Sequence, residues 1–232
     1  MRPSLTFILT LFFGLSYGQD FSYPSLNKSG QRIGDFVPIG WTILDSSKGD
    51  LNKDYIDDAV IILQHKDSVT LINSDGDTTQ TQPRILLILF KNTVSSRFEL
   101  TEQSNSFVLK HDKSTMDDPY REMTINKGVL SITFNLFYNL GSWYVTSATY
   151  KFRYQQGYFT LIGADYFSFH RATHDYEEYS YNFITKKRSL TKGNDNTGKE
   201  KTTWGKVNIE ELKTLKNFIG PFTWEVEKDI YL

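Results

Sequence analysis

One short stretch carries most of the oxygen chemistry in this chain. Gly49-Asp50-Leu51-Asn52-Lys53-Asp54-Tyr55-Ile56-Asp57-Asp58 places Asp50, Asn52, Asp54 and Asp58 at positions 1, 3, 5 and 9 of a DxNxDxxxD pattern. Alternate oxygen-bearing side chains on a tight loop can converge on one hard cation, and the backbone carbonyl of Ile56 at position 7 adds a further oxygen. Calcium accepts six to eight such oxygens in irregular geometry, whereas magnesium keeps a stricter octahedron and more water, so calcium is the expected ion. The alternative is a solvated Asx-rich turn that closes through its own hydrogen bonds.

Other candidates are less complete. His170 and His174 are four apart and followed by Asp175, Glu177 and Glu178. On a helix that spacing can hold zinc, but the flanks read as strands around a loop. A hydrolase built on His170 lacks an associated nucleophile, and there is no G-x-S-x-G elbow. Tyr176, Tyr179, Tyr181 and Phe183 could stack on sugar rings if exposed, and are core if buried. Gly193 to Lys199 matches most of a phosphate-binding loop but continues into Glu200 where Ser or Thr would ligate magnesium, so it reads as a hairpin tip. Around it, Lys186, Lys187, Arg188, Lys192, Lys199, Lys201 and Lys206 form a basic segment.

The Asp-rich stretch and the strand after it, Lys48 to Leu63, resemble the calcium-loop-then-strand unit of the FG-GAP/VCBS repeats in integrin-type β-propellers. Two departures are visible. Position 12, Glu in the helix–loop–helix calcium motif, is Ile61, so this loop runs into a strand. Position 6, usually Gly because the backbone there turns through positive φ, is Tyr55. The wider layout resembles a family of exported, mostly uncharacterised bacterial proteins carrying one such unit. That likeness runs through Gly40-Trp41-Thr42-Ile43-Leu44, Thr149 to Gly163, Asn182 to Lys187 and Lys201 to Trp204. It implies calcium at Asp50, Asn52, Asp54, Ile56 and Asp58, and no particular activity.

The elements that must position these residues follow from composition and periodicity. Of 232 residues, 26 are Lys or Arg and 27 Asp or Glu, a balance that argues against binding nucleic acid across the whole surface. There is no cysteine, which removes disulfides, Cys-ligated metals and thiol nucleophiles. Aromatic residues make up 15% and prolines number only 6, a composition that leans toward strands.

Residues 1–18 have the order of a secretory signal: Arg2, an apolar run from Leu5 to Tyr17, then the small residues Ser16 and Gly18. The expected product is exported, periplasmic or secreted, with no stable membrane insertion because no later apolar run is long enough to span a bilayer. Residues 19–35 read as a loose lead-in, and residues 36–232 as a single β-rich domain. Ala59 to Leu63 and Ile85 to Phe90 are continuous apolar runs, suited to strands buried on both faces. Leu130, Ile132, Phe134, Leu136 and Tyr138 alternate with polar residues, as do Tyr150, Phe152 and Tyr154. Asn73 to Asp77 carries an Asp-Gly turn signal. One helix is expected from Asn208 to Ile219, with Ile209, Leu212 and Leu215 at helical spacing and Gly220-Pro221 as the stop.

The expected fold class is therefore all-β, mainly antiparallel, with one short C-terminal helix, in a compact sheet assembly rather than a closed propeller. The expected function is a non-catalytic binding or interaction protein of the cell envelope, partnered by a protein or a glycan. Carbohydrate binding through exposed aromatics and hydrolysis at His170 are the alternatives.

Overall fold

The computed structural model describes residues 21–72 and 78–232. The expected signal segment, residues 1–18, and the expected turn, Asn73 to Asp77, lie outside the described residues.

The described part of the chain opens with a two-residue strand, β1 (Ser29–Gly30), and a 3-10 turn at Ile33–Phe36. It continues through β2 (Trp41–Gly49), β3 (Asp58–His65), β4 (Val69–Ile72), β5 (Thr78–Thr81), β6 (Arg84–Lys91) and β7 (Phe98–Ser104). An irregular connection leads to β8 (Tyr120–Asn126), β9 (Val129–Phe137), β10 (Tyr144–Gln155) and β11 (Tyr158–His170). Then come β12 (Asp175–Asn182), β13 (Lys187–Asn194), β14 (Lys199–Lys206), β15 (Glu225–Glu227) and β16 (Ile230–Tyr231).

Two antiparallel sheets dominate. A five-stranded sheet has the order β1-β7-β6-β3-β2, and a seven-stranded meander runs β14-β13-β12-β11-β10-β9-β8. The first matches the apolar runs. Ala59 to Leu63 and Ile85 to Leu89 have no solvent exposure, so β3 and β6 are covered on both faces. Period two then splits their side chains. Val60, Ile62, Leu86 and Ile88 face the larger core, where they meet Leu130, Ile132, Phe134, Tyr150 and Phe152 of the seven-stranded sheet. Ala59, Ile61, Leu63, Ile85, Leu87 and Leu89 face the other way, onto Phe36 and Trp41 with Phe21, Tyr23, Leu26 and Ile33.

Residues 21–35, within the segment expected as a loose lead-in, thus form a third layer that caps the five-stranded sheet. Its apolar residues lack strict periodicity, which is why the sequence looks loose there. Each buried side chain of this kind contributes about 2 kcal/mol.

The expected C-terminal helix does not form. Residues 208–219 run extended and turning, with a bridge between Thr214 and Thr160. The reason lies in β11. Its partner β12 pairs only with Gly163 to Phe169, so the first residues of β11 have an unpaired edge. Residues 213–215 fill it: Leu161 donates its N–H to the Lys213 carbonyl and Leu215 donates to the Phe159 carbonyl, both at 2.8 Å. Satisfying that buried edge outweighs a helical propensity of a few tenths of a kcal/mol per residue. Leu215 and Phe218 still enter the larger core, as does Leu232. The seven-stranded sheet is therefore covered on its inner face by the five-stranded sheet and the C-terminal segment. No helix among the described residues is long and apolar enough to cross a membrane.

Candidate functional site

The Asp-rich loop is closed by its own backbone. The Asp50 carboxylate accepts N–H groups from Lys53 (2.6 Å), Asp54 (3.2 Å) and Tyr55 (2.9 Å). Asn52 Oδ1 accepts from Asp54 N–H at 3.0 Å, and Asp54 Oδ1 accepts from Ile56 N–H at 2.9 Å. Lys53 and Tyr55 both stand at φ +68°, so position 6 takes the left-handed turn although it is not glycine. The Tyr55 side chain escapes into water, 97% exposed.

Asp58 plays a different part. It is fully buried, and its two oxygens accept N–H groups from Leu51 (2.9 Å) and Lys91 (3.0 Å), tying the loop to the end of β6. Burial pushes its pKa above the ordinary carboxylate value against those two hydrogen bonds. Among the described residues no three His, Asp or Glu side chains gather as a metal-holding group.

The two histidines do not share a site. β11 ends at His170 and a turn follows. The His170 ring packs edge-on to Tyr144, with centroids 4.8 Å apart. His174, at φ +62°, packs against Phe169, which points to the opposite face of the sheet. Three of the four candidate sugar-stacking aromatics are core. Tyr179, Tyr181 and Phe183 are buried and form a ladder of stacked rings 5.9 and 5.7 Å apart, ending on Trp224. Tyr176 lies on the outer face over Gly193, where a Cβ would sit 2.4 Å from its ring, and its hydroxyl donates to Glu200 at 2.8 Å. The basic segment is partly paired, through Arg188 to Glu227 (2.6 Å) and Lys192 to Glu177 (2.5 Å).

What the sequence did not single out is a cleft of about 430 Å³ on the uncovered end of the inner face of the seven-stranded sheet. Its floor comes from β10, β11 and β12: Tyr144, Tyr166, Ser168, His170 and Glu177, with Thr173 and Asp175 at the turn and Ile230 of β16 as a wall. Register explains the set. Tyr144 pairs with His170, Ser168 with Glu177, and Glu177 with Lys192, so their side chains share one face.

The polar groups are held. Glu177 accepts from Lys192 Nζ (2.5 Å) and from the Tyr179 hydroxyl (3.0 Å). Asp175 accepts from the Asn194 amide at 2.7 Å, and that bond, with one from Thr173, keeps its pKa below the ordinary carboxylate range. Burial pushes the Tyr166 phenol up, against hydrogen bonds with Thr146 and Ser168. His170 Nδ1 is engaged by the N–H and the hydroxyl of Thr173, each at 3.1 Å.

Tyr144, 54% exposed, closes the floor at its open end, and Trp143, 64% exposed, reaches the rim through its contact with His170. Trp143 stacks over His170 with centroids 6.4 Å apart. Its backbone carbonyl accepts from Arg171 N–H at 2.8 Å, and the Arg171 guanidinium lies over the Phe137 ring and bonds the Ser142 carbonyl. The backbone that carries the rim aromatics is therefore held in place. Exposed aromatic faces beside immobilised carboxylates and hydroxyls can bind a ligand that is apolar on one face and rich in hydroxyls at its edge.

No family model matches the chain, and comparison with curated proteins and with solved structures returned no match.

Proposed function

We propose that this is a non-catalytic binding protein of the cell envelope that holds a carbohydrate in the cleft on the seven-stranded sheet. One observation carries the reading: the Trp143–His170–Tyr144 aromatic group borders a cleft whose acceptors, Glu177 and Asp175, are already oriented by Lys192, Tyr179 and Asn194. A sugar ring offers axial C–H groups to an aromatic face and hydroxyl donors to carboxylates. Both complements are present here without the reorganisation that would weaken binding. Export rests on the signal-like order of residues 1–18.

The test is a glycan array followed by calorimetry on the best binder. Trp143→Ala and Glu177→Gln should each weaken binding at least tenfold while the melting temperature stays within a degree or two. Tyr179→Ala should instead destabilise the fold, because that ring is core. Wild-type protein that binds no glycan, or a Trp143→Ala variant that binds as well as wild type, overturns the reading. Release of reducing ends by wild type but not by His170→Ala would replace it with the hydrolase alternative.

We also propose calcium at the Asp-rich loop, as in the FG-GAP/VCBS unit it resembles. Support comes from the spacing of Asp50, Asn52 and Asp54 and from the left-handed backbone at Tyr55, the turn that the motif assigns to glycine. A cation bound only by the folded state raises the melting temperature with concentration. Calcium titration should therefore shift the melt upward in wild type and not in Asp50→Ala. A melt indifferent to calcium and to chelator reduces the loop to an Asx turn closed by its own amides.

A further inference from the structure

The seven-stranded sheet ends on β14, and this edge differs from the other three edges of the two large sheets. β1 is two residues long. β2 carries a bulge between Ile43 and Asp45 and lies against β8, so closely that a Cβ on Gly49 would sit 2.6 Å from Ile125. β8 is itself bulged between Tyr120 and Glu122. β14 has eight residues in unbroken register with β13, no proline, and no element on its far side; all but Gly205 are exposed. Val207 donates its N–H to the Lys186 carbonyl at 3.0 Å, in the same register. Antiparallel alternation then turns the N–H and carbonyl groups of Glu200, Thr202 and Trp204 outward, away from the sheet.

We propose that β14 takes an extended acidic segment of another protein as an eighth strand. Two features select that partner. Lys199 and Lys201 stand side by side on the inner face of the edge, and Trp204, 78% exposed, offers an apolar contact on the outer face. A segment alternating acidic and apolar residues matches both faces. A second copy of β14 does not, because twofold antiparallel pairing keeps like faces together, and the inner face of the second copy, Lys199, Lys201, Thr203 and Gly205, adds positive charge and brings no acid. Main-chain hydrogen bonds would supply affinity and the lysines the choice of sign.

The probe is an acetylated eight-residue peptide alternating Glu and Val, with a Lys/Val peptide as control, measured by fluorescence anisotropy on the full chain. The Glu/Val peptide should bind and weaken with salt, and the Lys/Val peptide should bind at least tenfold more weakly. Thr202→Pro removes an outward N–H while leaving the bonds to β13, so it should cost at least tenfold in affinity. Thr202→Val, which also loses the hydroxyl contact to Thr191, should keep affinity within about threefold. Lys201→Glu should cost at least tenfold. Circular dichroism melts confirm that each variant is folded; should Thr202→Pro not fold, Lys201→Glu and the control peptide decide alone. Equal binding of both peptides, full binding by Thr202→Pro or by Lys201→Glu, no binding at all, or a wild-type dimer in sedimentation that Thr202→Pro dissolves, each overturns the proposal.

Discussion

Asp58 and Tyr55 sit three residues apart and load the fold in opposite ways. Asp58 is a buried charge that two backbone amides need. Asn in its place offers one carbonyl oxygen to two N–H groups on opposite sides, so one donor is left bare. Asp58→Asn should therefore cost about 2 kcal/mol in urea unfolding. The pH dependence has a definite sign. With its folded pKa raised, Asp58 takes up a proton more readily in the folded chain than in the unfolded one. Its contribution is fullest below the ordinary carboxylate pKa and is lost as pH rises through its folded value. Tyr55 stores local strain instead, at φ +68° with its side chain in water. Tyr55→Gly should stabilise the protein by about 1 kcal/mol, seen as a higher urea midpoint at unchanged slope.

Among the elements, the strands that read clearly in the sequence are those whose two faces have simple environments. Ala59 to Leu63 and Ile85 to Leu89 are apolar at every position because both faces are covered, and Leu130 to Phe134 alternates because one face is. The segment 208–219 misled for a physical reason. Ile209, Leu212 and Leu215 must reach a core from an extended path, and their spacing coincides with a helical stripe. Only the unpaired edge of β11, a tertiary feature, shows that a strand-like bridge is wanted there. Leu215→Ala should cost about 3 kcal/mol despite lying outside any regular element, measurable by chemical denaturation. The cleft was hidden by the same logic. Tyr179 and Tyr181 share a sheet face with Glu177, yet the first two are core and the third lines a cleft. Which of these holds depends on where the covering layer stops, and no local pattern records that.

At the scale of the molecule, Arg84 joins separate parts of the chain. It is almost fully buried on β6, donates to Gln64 of β3 (2.9 Å) and to the Leu109 carbonyl (2.7 Å), and pairs through both terminal nitrogens with Asp118. The irregular connection 105–119 is thereby pinned between the sheets. Burial raises the Asp118 pKa, but the hydrogen bonds and charge of Arg84 outweigh it, and the carboxyl titrates below its ordinary range. Its stabilisation is present above the unfolded carboxylate pKa and disappears as pH falls through the folded value. Asp118→Asn should thus flatten the loss of stability below about pH 4, read from melts across an acid series. Removal of Arg84 itself, as Arg84→Met, should cost about 3 kcal/mol at neutral pH.

The layer formed by residues 21–41 has a consequence for handling as well as for folding. Among the described residues it packs over Ile61, Leu63, Ile85 and Leu87 on that side, together with Phe98 and Leu100 of β7. Two neighbouring β-strands of unbroken aliphatic character, stripped of this lid, are a template for intermolecular stacking. A chain shortened to begin after Trp41 should scatter light and pellet within minutes of refolding, whereas the intact chain stays clear.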